Sequence, residues 1–224
     1  MKEAEAIKGF IERHGEKKVF LEHEVKGLLK EMGFSVPRGR FFRAGEAIRG
    51  RIDLEYPLVA KISSSEIASK SNVGGVRAGI RNADELGRAV QELSSIKDAE
   101  GVLVEEMAPE GLEVIIGGVI DDQFGPVMMF GLGGVFVELF KDIAFGLAPL
   151  GTEDAQWLIR QVKGYRLLEG YRGTAAVDKD QLLSMLVSVS EVMASGMVRE
   201  IDLNPVALYP EGAIILDAKM QAIS

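Results

Sequence analysis

The sequence predicts an α+β protein. Three observations carry that reading. The chain opens with amphipathic helical patterns, its apolar strand-like runs fall into two groups separated by helices, and no internal repeat or low-complexity linker divides it. At 224 residues it is long enough for one large or two small domains with a substantial core. A boundary near Gly101 divides it into an N-terminal helix over 1–20, a first lobe over 21–100 and a second over 101–224.

Residues 2–14 and 21–32 both place apolar side chains at helical spacing, Phe10 and Ile11 in the first, Val25, Leu28 and Leu29 in the second. Gly33 is a C-cap, and Phe34–Pro37 is expected as a short strand. His14 and His23 sit among charged residues and are expected on solvated helix surface, with no catalytic role. Leu54–Ser63 is a buried strand whose one internal cation is Lys61. Such a lysine either faces solvent or needs an anionic partner. The loop that follows carries Ser69, Lys70, Gly74 and Gly75, and backbone amides beside a lysine are a candidate phosphate cradle. By itself the pattern is unspecific.

Val76–Ile80 is a further strand, and Asn82 caps a helix with Leu86, Ala89, Val90 and Leu93 in register. Residues 101–108 form a strand that ends in Glu105, Glu106 and Met107, and residues 113–120 form the next. Phe124–Asp142 then reads as strand, glycine-rich turn and strand, closing on Glu138, Lys141 and Asp142. Glycine inside an apolar run packs no side chain, so Gly131, Gly133 and Gly134 leave bare backbone for a close approach, by a nucleotide phosphate or by a bulged hairpin. A helix opens at Thr152 with Trp157 on its apolar side, Gly170–Gly173 presents Arg172 on a loop, and a long helix spans 178–195.

The segment from Val198 is chemically the most informative. Strand side chains alternate, so Glu200, Asp202 and Asn204 share one face while Ile201 and Leu203 share the other. Pro205 is expected to end the pairing. A hairpin through Pro210–Gly212 then returns Asp217 towards Asn204, and these oxygen ligands suit Mg²⁺. An edge strand with a polar outer face is the alternative.

Composition limits the function. A net charge of −8 argues against nucleic acid and, less directly, against an anionic membrane surface, but leaves nucleotide binding open. The absence of cysteine excludes disulfides and thiolate chemistry. The charged N-terminus has no apolar signal core and no run reaches the length of a membrane span, so a cytoplasmic enzyme or enzyme subunit is expected.

Taken in order, VAKI, KSNVGGV, LVEEM, the 111–142 segment, LAPL, GYRG, EIDLNP and LDAK resemble the ATP-grasp β subunit of ADP-forming acyl-CoA synthetases such as acetate–CoA ligase, relatives of succinyl-CoA synthetase. The resemblance runs from Leu21 onward. It implies an ATP-grasp fold, two α/β lobes with nucleotide between them, and the reaction acyl-CoA + ADP + phosphate ⇌ acid + ATP + CoA. A partner CoA-binding α subunit, in an α2β2 complex, would carry a phosphorylatable histidine. Lys61 and Lys70 with Gly74 and Gly75 then belong to the ATP/ADP phosphates, Glu105, Glu106 and Met107 to the base, and Glu113 to ribose or phosphate. Asn204 and Asp217 would hold Mg²⁺, Asp202 would orient the phosphohistidine, and Arg172 would add positive charge.

Two positions depart from the family pattern. Many members read HKSDVGGV, with the histidine thought to relay phosphate, where this chain has Ser69 and Asn72; the family arginine before LAPL is Gly146. A serine hydroxyl without a base is a poor nucleophile at neutral pH. The alternatives are therefore a nucleotide-binding module of the same fold without relay, and a stand-alone ATP-grasp carboxylate–amine ligase.

Overall fold

Helical apolar spacing places Ile7 and Phe10 in the core of α1 (Lys2–His14) in the computed structural model, which describes residues 2–46, 48, 50, 52–67, 69–134 and 141–223. A two-residue strand β1 (Val19–Phe20) and α2 (Glu22–Glu31) follow. The chain divides into two compact units, one of Met1–Phe20, Glu24–Val36 and Glu110–Ser224, the other of Leu21–His23 and Pro37–Pro109.

The smaller unit holds β2 (Gly39–Arg43), β3 (Leu58–Ser63), β4 (Val76–Ile80), α3 (Ala83–Ser94) and β5 (Gly101–Glu106), with the strands in the order β2-β5-β3-β4. All pairs are antiparallel. One sheet face is closed by α3, whose Leu86, Val90 and Leu93 meet Phe42, Leu58, Ala60, Val102 and Val104. Asn82 caps that helix by accepting from the Glu85 N–H at 2.9 Å, and the Glu85 carboxylate accepts in return from the Arg81 N–H at 2.8 Å.

Three expectations change in this unit. The strand expected from Leu54 starts at Leu58, directly after Pro57, whose nitrogen has no hydrogen for a ladder. Phe34–Pro37 forms no ladder, and β2 takes that place in the order. Gly101 is no hinge. It sits in β5 opposite both Arg43 and Ser63, and a Cβ there would lie 2.3 Å from the Phe42 carbonyl oxygen. The chain leaves this unit after Pro109, and 24–36 packs with the larger one.

The larger unit contains β6 (Leu112–Asp121), β7 (Gly125–Leu132), β8 (Ile143–Leu147), α4 (Thr152–Arg160), a 3₁₀ turn (Tyr165–Leu167), α5 (Lys179–Ala194), β9 (Val198–Leu208), β10 (Ala213–Ile215) and β11 (Ala218–Ala222). Seven described strands pair antiparallel in the order β1-β11-β9-β6-β7-β8, with β10 also on β9. Phe10, Leu28, Leu158 and Leu186 join Ile116, Phe130, Ile201 and Leu203 in one core, so the helices bury a single sheet face. Asp178 caps α5 and also accepts from the Gly212 N–H, which ties the β9–β10 turn to the helix. Those two backbone N–H groups, the Gln181 one first, hold its carboxyl below the usual carboxylate range.

Pro205 does not end the pairing. The strand β9 continues to Leu208, and the missing N–H falls where the register on β6 shifts between Val114 and Ile116. Trp157 is 56% exposed rather than packed in the core, because Ala155, Leu158 and Ile159 take the buried side of α4. Both histidines are partly buried rather than solvated. His14 packs on Phe10 and Phe20, and the His23 ring stacks on Phe41 at 4.0 Å and 11°. Within 124–142, Gly133 answers a neighbouring strand: its N–H donates to the Glu113 carbonyl at 2.7 Å, and a Cβ would come within 2.8 Å of the Glu113 Cβ. Residues 135–140, with Glu138, lie outside the described residues.

Candidate functional site

The expected site residues fall into two sets, one in each unit. In the smaller unit, Lys61 lies on the face of β3 turned away from α3. Its ammonium donates to Glu22 Oε1 at 3.0 Å and to Glu105 Oε2 at 2.8 Å. Lys70 Nζ stands 2.7 Å from the other Glu22 oxygen, Oε2. Lys61 is 9% exposed, Glu22 4% and Glu105 1%. A buried ammonium loses the solvation that keeps it charged, and the carboxylates of Glu22 and Glu105 offset that loss. The sequence-level choice for Lys61 is thereby settled in favour of anionic partners.

The loop that brings Lys70 in is closed by its glycines. The Gly75 N–H donates to the Lys70 carbonyl at 2.7 Å, the Gly74 N–H to the Ser71 carbonyl at 3.1 Å, and the Ile62 N–H to the Gly75 carbonyl at 2.8 Å. Both glycine N–H groups are thus engaged within the loop, and the amide cradle expected from Gly74 and Gly75 is not formed by them. A Cβ on Gly75 would lie 2.3 Å from Ile62 Cγ2 and 2.9 Å from the Lys70 carbonyl oxygen. Gly75→Ala is therefore expected to cost about 1–3 kcal/mol of stability, read as a lower urea midpoint. Ser69 is partly buried beside Lys70.

At the end of β5, Glu105 turns to Lys61, and Glu106 accepts from the Glu55 N–H at 2.9 Å and pairs with Arg38 at 3.1 Å. The backbone N–H groups of Glu106 and Met107 donate to the carbonyls of Arg38 and Pro57. Met107 remains 42% exposed, its sulfur accepting from the Gly79 N–H.

In the larger unit the sheet face away from the helices carries the second set. Cross-strand pairing aligns Asp202, Gly117, Met129 and Phe145 in one row, with Lys219 opposite Asp202 on the other side. Ile201 and Leu203 are buried, whereas Glu200 and Asn204 are exposed and Asp202 is partly buried, as the alternation requires. The hairpin returns Asp217 beside Asn204, whose N–H donates to the Asp217 carbonyl at 3.1 Å. Glu113 is exposed on β6, and burial first, then its charge, pushes the Tyr209 phenol up. Arg172, at φ +50°, lies over the Tyr171 ring on its loop.

Position 146, one departure from the pattern the resemblance implies, lies on the other side of the sheet from Asp202. Gly146 pairs with Met128, in the row of Ile201, and a Cβ there would point at Leu150 and Leu158. An arginine at 146 would thus start on the helix-covered side, opposite Asp202, so its absence removes nothing from the Asp202 face.

Sequence reasoning missed Glu22. Its place at the start of a helical pattern makes it look like an ordinary first-turn acidic residue, and no local signal marks a contact made 39 residues away.

Among the described residues no helix is long and apolar enough to cross a membrane. A family model described as an ATP-grasp domain matches residues 12–222. The β subunit of acetate–CoA ligase [ADP-forming] I from Pyrococcus furiosus is 40% identical over 214 residues, covering 92% of this chain and 92% of that one. Acetate–CoA ligase [ADP-forming] II from Archaeoglobus fulgidus is 42% identical over 203 residues, 90% of this chain but 30% of the longer polypeptide. Among solved structures, Ca. Korarchaeum cryptofilum dinucleotide-forming acetyl-coenzyme A synthetase 1 with coenzyme A, Ca-AMPCP and HgCl⁺ superposes with a TM-score of 0.86. It is 38% identical and covers 98% of this chain and 100% of that one. The same protein with coenzyme A and Mg-AMPPCP, its phosphohistidine segment pointing towards the nucleotide binding site, gives 0.77, at 37% identity over 99% of this chain and 100% of that one.

Proposed function

This chain belongs to the ATP-grasp domain family, and from that premise we propose that it is the nucleotide-binding β subunit of an ADP-forming acyl-CoA synthetase. With a CoA-binding partner in an α2β2 complex, in the cytoplasm, it would convert acyl-CoA, ADP and phosphate into acid, ATP and CoA through a phosphohistidine on the partner. The observation that carries the reading is the face of β9. Asp202 and Asn204 point the same way, and the hairpin sets Asp217 beside Asn204.

Phosphoryl transfer depends on alignment and on neutralising the charge that develops, more than on covalent help from the protein. Lys61 and Lys70 are the cations for the nucleotide phosphates. Met107, exposed at the end of β5, offers apolar surface to the base, and Glu113, exposed on β6, is the group proposed for a ribose or phosphate contact. Asp202 accepts a hydrogen bond from the partner's imidazole and fixes its tautomer. Arg172 adds positive charge from its loop. Gly74 and Gly75 shape the loop that delivers Lys70.

Mg²⁺ fits the donor set present, because a hard cation takes one carboxylate and one amide oxygen and fills its octahedron with phosphates and water. Asn204 and Asp217 would hold it, and when bound it supplies charge neutralisation at the transferring phosphoryl group. Among the described residues no group of three or more His, Cys, Asp or Glu could hold a metal, and this two-ligand arrangement requires none. Asn204→Ala and Asp217→Ala are each expected to weaken Mg-ADP binding about tenfold or more in calorimetric titration, with metal-free ADP affected far less. Unchanged Mg-ADP affinity overturns the assignment.

The reaction is tested with purified partner, acyl-CoA, ADP and phosphate in a coupled assay for ATP. Steady ATP formation is the expected result. Tight nucleotide binding without ATP formation favours the second reading, a nucleotide-binding module without relay, for which Ser69 is the specific observation.

A further inference from the structure

We infer that Glu22 is a positioning residue for phosphate binding, setting the spacing and charge of the two lysines that receive the nucleotide. The inference rests on the nucleotide reading of Lys61 and Lys70 above. The two oxygens of Glu22 are divided between the two lysines, Oε1 on Lys61 at 3.0 Å and Oε2 on Lys70 at 2.7 Å. One carboxylate therefore bridges two ammoniums that come from different stretches of chain, a strand and a loop. Two like charges held close in a buried place repel and lose solvation, and either effect drives an ammonium to deprotonate or swing outward. A shared anion removes both tendencies.

Glu105 adds a second carboxylate on Lys61, at 2.8 Å. The frame around Glu22 is equally specific. The neighbouring His23 ring is stacked on Phe41 of β2, and the Lys70 backbone is fixed by its 2.7 Å hydrogen bond from Gly75. Both lysines enter the cluster from anchored backbone, and Glu22 determines where their charged ends stop. Phosphate oxygens then meet a preset pair of cations, and less of the binding energy goes into ordering two long side chains.

The test compares ADP with adenosine, which lacks phosphates, by calorimetric titration of the full chain. Glu22→Gln is expected to weaken ADP about tenfold or more and to leave adenosine within about twofold. Glu22→Asp keeps the charge with a shorter reach. It is expected to recover part of the ADP affinity, and it provides the same comparison should the glutamine variant not fold. A parallel loss for both ligands shows a merely structural role and overturns the inference, as does unchanged or tighter ADP binding. Lys70→Gln separates the two levels of argument. Unchanged ADP affinity in that variant overturns the phosphate-site reading, whereas weakened ADP affinity there with Glu22→Gln unaffected overturns only the role of Glu22.

Discussion

Asp202→Asn is expected to lower the rate of ATP formation by about 10²–10⁴-fold, the range for loss of a positioned proton-handling group, with Mg-ADP affinity nearly unchanged. The amide keeps the shape of the carboxylate but cannot carry the negative charge that stabilises an imidazolium or selects its tautomer. Its strand neighbours Ile201 and Leu203 are buried on the opposite face and keep their packing in the exchange, so the fold is expected to persist. The check is the coupled rate measured beside nucleotide affinity on the same preparation. A variant with full rate, or one that loses rate only in proportion to nucleotide binding, removes Asp202 from the transfer step.

Lys61→Met should have the largest combined effect on stability and binding. The substitution leaves Glu105 buried with no Lys61 partner and leaves Glu22 only Lys70 among the cations described above. Breaking one side of a buried ion pair costs about 3–5 kcal/mol, because a buried carboxylate then loses the cation that offsets its desolvation. Chemical unfolding should show that loss, and ADP affinity should fall in any fraction that still folds. Lys61→Met combined with Glu105→Leu should recover part of the stability but none of the ADP affinity, which distinguishes packing from phosphate recognition. Full stability in the single variant would contradict the buried cluster.

The parts of this chain that were legible are those governed by local rules. Alternation along Val198–Leu208 and the Pro210–Gly212 turn place Asp202, Asn204 and Asp217 without any long-range information. The cap at Asn82 and the helix after it follow from three or four neighbouring residues. What could not be read depends on partners distant in the chain. Gly101 looks like a domain boundary in sequence, yet it lies inside a strand and its bare Cα is required by the Phe42 carbonyl. Gly133 looks like a phosphate turn and is required by Glu113. Glycine's sequence signal is the same for a bend, a ligand approach and a tight strand crossing, and only tertiary structure separates them. For Lys61 the sequence leaves both a solvent-facing lysine and an anionic partner open, and the anions it meets, Glu22 and Glu105, depend on strand register and on the placement of a tripeptide. Trp157 failed for the opposite reason: a large apolar residue does not have to be buried, because much of any folded surface is apolar.

The position of β11 bears on the order in which the chain can fold as it is synthesised. In the larger sheet β11 stands between β1 and β9, pairing Met220 with both Phe20 and Ile201. The N-terminal strand therefore has no described neighbour to pair with until residues 218–222 have left the ribosome. The strands β2 to β5, in contrast, lie within one stretch of sequence and can pair while translation continues. The strands that carry Lys61 and its sheet can thus form early and the Asp202 face is completed late, and closure of the larger sheet around β11 involves the contacts of highest sequence separation.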